Sequence, residues 1–94
     1  PCSDYLRMMG SQVQVSGVID YSDQMDFGMW IDFAGEECSY SAQIFTEQLS
    51  NFEPEILQSL KPGWRVTLTG TITDVVDRYV ILDIVSIDSL EPPG

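Results

Sequence analysis

Histidine is absent from this chain, which removes the Ser–His and Cys–His nucleophile arrangements at the outset. The two cysteines, Cys2 and Cys38, stand far apart with no histidine to complete a tetrahedral set, so they do not resemble a zinc site. Asp20, Asp23 and Asp26 offer oxygens, but their spacing is not that of an EF-hand loop and its closing glutamate is missing. Paired carboxylates of the kind used in glycoside hydrolysis carry no information in so acidic a chain. What remains is binding chemistry. Trp30, Tyr40 and Tyr79 have rings that stack on flat groups, Gln43 is an adaptable donor and acceptor, and Asp20, Asp23, Asp26, Asp32, Glu36 and Glu37 form an acidic neighbourhood. The expectation is a binding protein, not an enzyme, with no cofactor and no metal.

Charge narrows the partner. Fifteen acids against four bases give a net of −11, with no base between Arg7 and Lys61. Nucleic acids attract proteins chiefly through Lys and Arg contacts to phosphate, which this chain can barely supply. Net charge bears on partners and solubility, not on fold.

Ninety-four residues with a hydrophobic fraction of 44% suit one domain with its own core. Apolar runs such as Val80-Ile81-Leu82 fall far short of the roughly 20 residues of a membrane span. No basic segment followed by an apolar one marks a signal peptide, which is therefore absent or already removed. The start at Pro1 suggests a processed or truncated chain. Cys2 is open to three fates: a bridge to Cys38, a free thiol, or a lipid anchor in a longer precursor. The compartment stays undetermined.

These side chains need elements to position them. Residues 1–11 read as an arm, with Asp4 capping a short turn that Gly10 stops. Gln12 to Tyr21 alternates as a strand with Val13 and Val15 on one face. Gly17 interrupts that alternation, since Val18 and Ile19 are adjacent apolar residues, and an interior glycine marks a bend or a close backbone. Ser22 to Asp26 reads as a polar turn. Phe27, Met29, Ile31 and Phe33 then face one way, with Gly28, Trp30 and Asp32 opposite. Ala34-Gly35-Glu36-Glu37 fits a hairpin loop, after which Cys38, Tyr40, Ala42 and Ile44 alternate with Ser39, Ser41 and Gln43.

The period then lengthens: Leu49, Phe52, Ile56, Leu57 and Leu60 recur at helical spacing. The helix is expected from about Glu53 to Leu60, with Ser50 or Asn51 as its cap, Pro54 in its first turn and Pro62-Gly63 as its stop. Val66, Leu68, Gly70 and Ile72 alternate with Arg65 and four threonines, a strand with one solvent-facing side. Asp74 to Asp77 turns, Tyr79 to Leu90 forms the last strand, and residues 91–94 are a tail.

Three strands, one helix and two strands, with glycines inside the first and fourth, resemble the OB-fold over about residues 12–90. The most specific part is Leu60-Lys61-Pro62-Gly63-Trp64-Arg65-Val66-Thr67-Leu68-Thr69-Gly70, similar to the helix-to-fourth-strand passage of many such domains. By pattern it looks most like the small bacterial group named tRNA-anticodon-binding-like. The resemblance implies an all-β, five-stranded Greek-key barrel whose helix plugs one end through Ile56, Leu57 and Leu60. It also implies a ligand on the face of the second and third strands, which carries over to Trp30, Tyr40 or Gln43, and Tyr79. The chain departs from that pattern in lacking a basic groove. Trp64 reads as a plug beneath the barrel, and Trp30 as covered either by the arm or by a partner. The leading expectation is a non-catalytic module that contacts a protein partner, one with a basic surface, through an acidic, aromatic-bearing face. Single-strand nucleic-acid binding by stacking and an acidic DNA mimic are the alternatives.

Overall fold

Alternation of apolar and polar residues, with period 2, puts one face of each strand toward a common interior, and in a closed sheet that interior is the core. A computed structural model describes residues 2–94. Its strands are β1 (Gln12–Met25), β2 (Gly28–Ala34), β3 (Ser39–Phe45), β4 (Arg65–Val76) and β5 (Tyr79–Glu91), with a short helix α1 (Pro54–Gln58) between β3 and β4. They close into a barrel in the order β1-β2-β3-β5-β4, antiparallel throughout except for the parallel β3–β5 pair. Val15, Ile31, Phe33, Val66, Leu68, Ile72, Leu82 and Ile84 are buried as the alternation demands, and Val13 packs against them half-buried. No helix among the described residues is long and apolar enough to cross a membrane.

The first strand departs from its expected course in two ways. Alternation does not break at Gly17: Gly17 and Ile19 point inward and Val18 points out, exposed. A Cβ on Gly17 would collide with the Ala34 carbonyl oxygen and stand 2.9 Å from the Phe33 ring, so glycine is needed for a close approach of β1 to β2. The irregularity falls at Asp20, between the pairs Ile19–Phe33 and Tyr21–Asp32. Ser22 to Asp26 is also not the turn. β1 runs on to Met25, paired residue by residue with β2, because cross-strand pairing overrides the polar local composition. The turn shrinks to Asp26 and Phe27, and Phe27 lies outside the core, exposed.

The helix is shorter than its periodicity suggests. Thr46–Asn51 forms a separate 3-10 segment, and the extended backbone of Phe52 divides it from α1. Glu53 occupies the cap position without a side-chain hydrogen bond, so neither Ser50 nor Asn51 caps α1, while Pro54 sits in the first turn as expected. Leu60, just beyond α1, is buried in the core; Leu49, Phe52 and Leu57 pack against that core half-buried, and Ile56, also half-buried, is not among the residues packed there. The Asp74–Asp77 turn contracts to Asp77 and Arg78, with Asp77 at φ 55°.

The arm begins with a 3-10 segment, Cys2–Met8, and is tied to the barrel; Pro1 lies outside the described residues. Cys2 and Cys38 are joined in a disulfide. The Tyr5 hydroxyl lies 3.1 Å from that of Tyr40, and the Gly10 amide donates to the Ile72 carbonyl at 2.8 Å.

One exposed carboxylate ties three strands together. Asp88, at an irregularity in the β4–β5 register, accepts hydrogen bonds from Gln14 (2.9 Å), Thr69 (2.7 Å) and Ser86 (2.8 Å). These bonds favour the ionised form and hold its carboxyl below the usual range. In the unfolded chain the group returns to its ordinary value. Its stabilising contribution is therefore present above that ordinary value and lost as pH falls through the lowered one. Solvent screening keeps the effect small at so exposed a site. Asp88→Asn is expected to lower the urea midpoint slightly near neutral pH, with the gap to the parent closing once the medium is acid enough to protonate Asp88. A gap that persists unchanged in acid would refute this account.

Candidate binding face

Strand register assembles the site. On the outer surface Asp23 of β1 lies opposite Trp30 of β2, Trp30 opposite Gln43 of β3, and Gln43 beside Asp83 of β5. A second row runs Tyr21, Asp32, Ser41 and Ile81 across the same four strands. Within the rows the Trp30 indole N–H and the Ser41 hydroxyl both donate to Asp32 Oδ1, each at 2.7 Å. The Gln43 amide donates to Asp83 Oδ1 at 2.8 Å, and the Tyr21 hydroxyl to Asp23 Oδ2 at 3.0 Å. Donating that proton to Asp23 raises the Tyr21 phenol above its ordinary pKa.

One end of this face is apolar. Phe27 meets Trp30 edge-on with ring centroids 6.2 Å apart and leans on Phe45 at 6.4 Å, and Met25 is exposed beside them across Gly28. Gly28 is required here: its φ is 142°, and a Cβ would strike the Ile44 carbonyl oxygen. Its missing side chain is what lets the hairpin close against β3.

The structure separates the expected site residues. Trp30 and Gln43 come together, half-buried, at the centre of the face. Tyr40 does not join them. It points inward at 7% exposure and stacks on Phe33 with centroids 5.0 Å apart, and burial followed by the Tyr5 hydroxyl pushes its phenol pKa up. Its inward parity with Ala42 and Ile44 makes it a core residue, not a stacking platform. Tyr79 is exposed but pairs with Ser39, four strand positions from Gln43 or about 13 Å at ~3.3 Å per residue.

The acids divide likewise. Asp23 and Asp32 stand in the rows, Asp26 lies in the hairpin turn at their end, and Asp20 occupies the irregularity in β1. Glu36 and Glu37 lie in the β2–β3 turn at the far end of the strands, so the six do not form one patch. Those two line an open cleft of about 890 Å³ between arm and barrel, together with Tyr5, Tyr40 and Arg65. Tyr21, Asp83 and the Phe27–Phe45 pair are members of the face that sequence reasoning missed. Period-2 parity with Ile81 was a usable signal for Asp83, while Tyr21 depended on the irregularity at Asp20. Among the described residues no group of three or more Cys, Asp or Glu side chains is placed to hold a metal ion.

No family model matches the chain, and no curated protein sequence matches it. Solved structures do. An OBody, AM3L09, bound to hen egg-white lysozyme superposes with a TM-score of 0.70 at 14% identity, over 86% of this chain and 82% of that one. A chain assigned as an aspartyl-tRNA synthetase from Leishmania major Friedlin gives 0.68 at 12% identity, and the aspartyl-tRNA synthetase from Entamoeba histolytica 0.65 at 12%. This chain is covered to 93% and 92% but spans only 19% and 20% of those synthetases. At such identities the likeness establishes the fold, which is the OB-fold, the barrel that the helix-to-strand passage and the interior glycines resemble.

Proposed function

We propose that the protein is a non-catalytic OB-fold module that binds a basic protein partner through the outer face of β1, β2, β3 and β5. The observation that carries this reading is the face itself: a half-buried tryptophan beside exposed apolar side chains, flanked by Asp23, Asp32 and Asp83, with no Lys or Arg in either row. Complementary charge speeds encounter and selects partners, so a basic surface fits. The OBody bound to hen egg-white lysozyme, similar in fold to this chain, is consistent with a protein ligand and supports the reading. Phosphate would need positive charge within a Debye length, about 8 Å at physiological salt. Stacking on Trp30 offers ~1–3 kcal/mol per base, too little on one ring to offset three carboxylates and the absence of any base.

Fluorescence anisotropy tests the reading. Mixed-sequence single-stranded DNA and RNA should show no binding at micromolar protein and physiological salt. Cytochrome c, a basic probe, should bind with an affinity that salt weakens and Trp30→Ala reduces. A micromolar or tighter oligonucleotide complex abolished by Trp30→Ala would overturn the reading in favour of single-strand binding.

A further inference from the structure

The hydrogen-bond polarity of the face specifies its ligand more closely than its charge does. Four side chains in the two rows carry donors, and each directs a hydrogen onto a carboxylate of the same face: Trp30 and Ser41 onto Asp32, Gln43 onto Asp83, Tyr21 onto Asp23. Among the described residues each carboxylate is engaged by these donors through one oxygen, leaving Asp32 Oδ2, Asp83 Oδ2 and Asp23 Oδ1 as further acceptors. All the engaged donors are neutral, so the three negative charges are oriented but not cancelled. The surface therefore presents acceptors and negative charge around an aromatic ring. A phosphate or carboxylate ligand would find these donors turned onto the face's own carboxylates, with only the second Gln43 N–H left over.

We infer, resting on the protein-binding reading above, that the face takes an extended segment bearing an arginine two residues from an apolar side chain. The guanidinium lies on the Trp30 ring between Asp23 and Asp32, and the apolar side chain rests on Phe27 and Phe45. A guanidinium is a planar group of five donors with no acceptor, which is the complement of this surface. It is weakly hydrated, stacks on aromatic rings and pairs with carboxylates through a fixed fork, whereas an ammonium is a strongly hydrated point charge. In an extended segment, side chains i and i+2 project from one face about 6.6 Å apart. That matches the two-residue step along β2 from Trp30 to Gly28, where the Phe27–Phe45 pair lies.

The test uses the whole protein, isotopically labelled with nitrogen-15, and two peptides of equal charge: one with two Arg-x-Leu repeats, the other with lysine in place of each arginine. Trp30→Phe assigns the Trp30 indole N–H signal and separates it from that of Trp64. The arginine peptide should shift that signal together with the amides of Asp32 and Gln43, and bind about fivefold more tightly than the lysine peptide. Asp32→Asn should weaken it about tenfold, and Glu36→Gln, at the far end, should leave it unchanged. Should Asp32→Asn fail to fold, Asp23→Asn makes the same test, since its partner is only the exposed Tyr21 hydroxyl. Equal binding of both peptides at the face overturns the arginine assignment while leaving the protein-binding reading standing. Shifts confined to the Glu36–Glu37 end, or none, overturn the site, and the cytochrome c experiment separately decides whether the face binds protein.

Discussion

Gly17→Ala is expected to lose about 3 kcal/mol or more of stability, and Gly70→Ala only ~1 kcal/mol, although both glycines lie inside strands facing the core. The difference lies in what a Cβ meets. At Gly17 it collides with the carbonyl oxygen of Ala34, lies 2.7 Å from that carbonyl's carbon and stands 2.9 Å from the Phe33 ring. Backbone on a paired strand cannot step aside without opening the Val18–Ala34 and Ile19–Phe33 pairs, and Phe33 is fully buried. At Gly70 the nearest atoms are Asp83 O at 3.0 Å and Leu82 Cβ at 3.1 Å, so shifts of a few tenths of an ångström suffice. Removing glycine from a strand also recovers roughly 0.5–1 kcal/mol of chain entropy, which offsets part of the smaller strain. Urea unfolding of the two variants and the parent measures both. A Gly17→Ala protein with the parent's midpoint would mean that β1 and β2 are not as close as described.

The second large effect is expected at the N-terminal arm. Cys2 and Cys38 are 36 residues apart in sequence, and a cross-link over such a loop restricts the unfolded chain by about 3–4 kcal/mol in the loop-closure treatment. Replacing both with alanine should therefore lower the melting temperature by roughly 12–30 °C, at 4–8 °C per kcal/mol for a domain of this size. Reducing the parent with a phosphine should lower it comparably and leave the double variant unaffected. Melting followed by circular dichroism, with and without reductant, reads both arms. Equal melting temperatures for parent and double variant would show that the arm is not held by this bridge.

Much of this architecture was legible because period-2 alternation is a physical consequence of a strand with one buried face. Met29, Ile31 and Phe33, and likewise Cys38, Ala42 and Ile44, announce their parity without ambiguity, and all are buried. The helix was legible in kind but not in extent. Leu49, Phe52 and Leu57 do pack against the core, yet they do so from a 3-10 segment, a linking residue and a short helix, because Phe52 adopts extended backbone. Ser22 to Met25 has the composition of a turn yet forms strand, because pairing to β2 outweighs a polar local composition, a tertiary effect with no local trace. The candidate face was half legible: Trp30, Gln43, Asp23 and Asp32 are there. Tyr40 shows that residue type does not decide a role. Its ring suits stacking on a ligand, but its parity commits it to Phe33. Whether Cys2 and Cys38 are joined was open in the sequence, since only the docking of the arm brings them together.

Closure of the barrel has a consequence for biosynthesis. β1 pairs with β4 from Gln12–Thr71 to Val18–Arg65, and β3 pairs with β5 from Ser39–Tyr79 to Gln43–Asp83. A ribosome that has delivered the chain only as far as Phe45 has released a three-stranded meander with both outer edges open. Its inward face, Ile31, Phe33 and Ala42 among it, has no opposing wall. At 5–20 residues per second the remaining strands follow within seconds, and neither edge can be satisfied before Arg65–Val76 and Tyr79–Glu91 emerge. The nascent chain is thus most prone to pairing with its neighbours on a polysome during that interval.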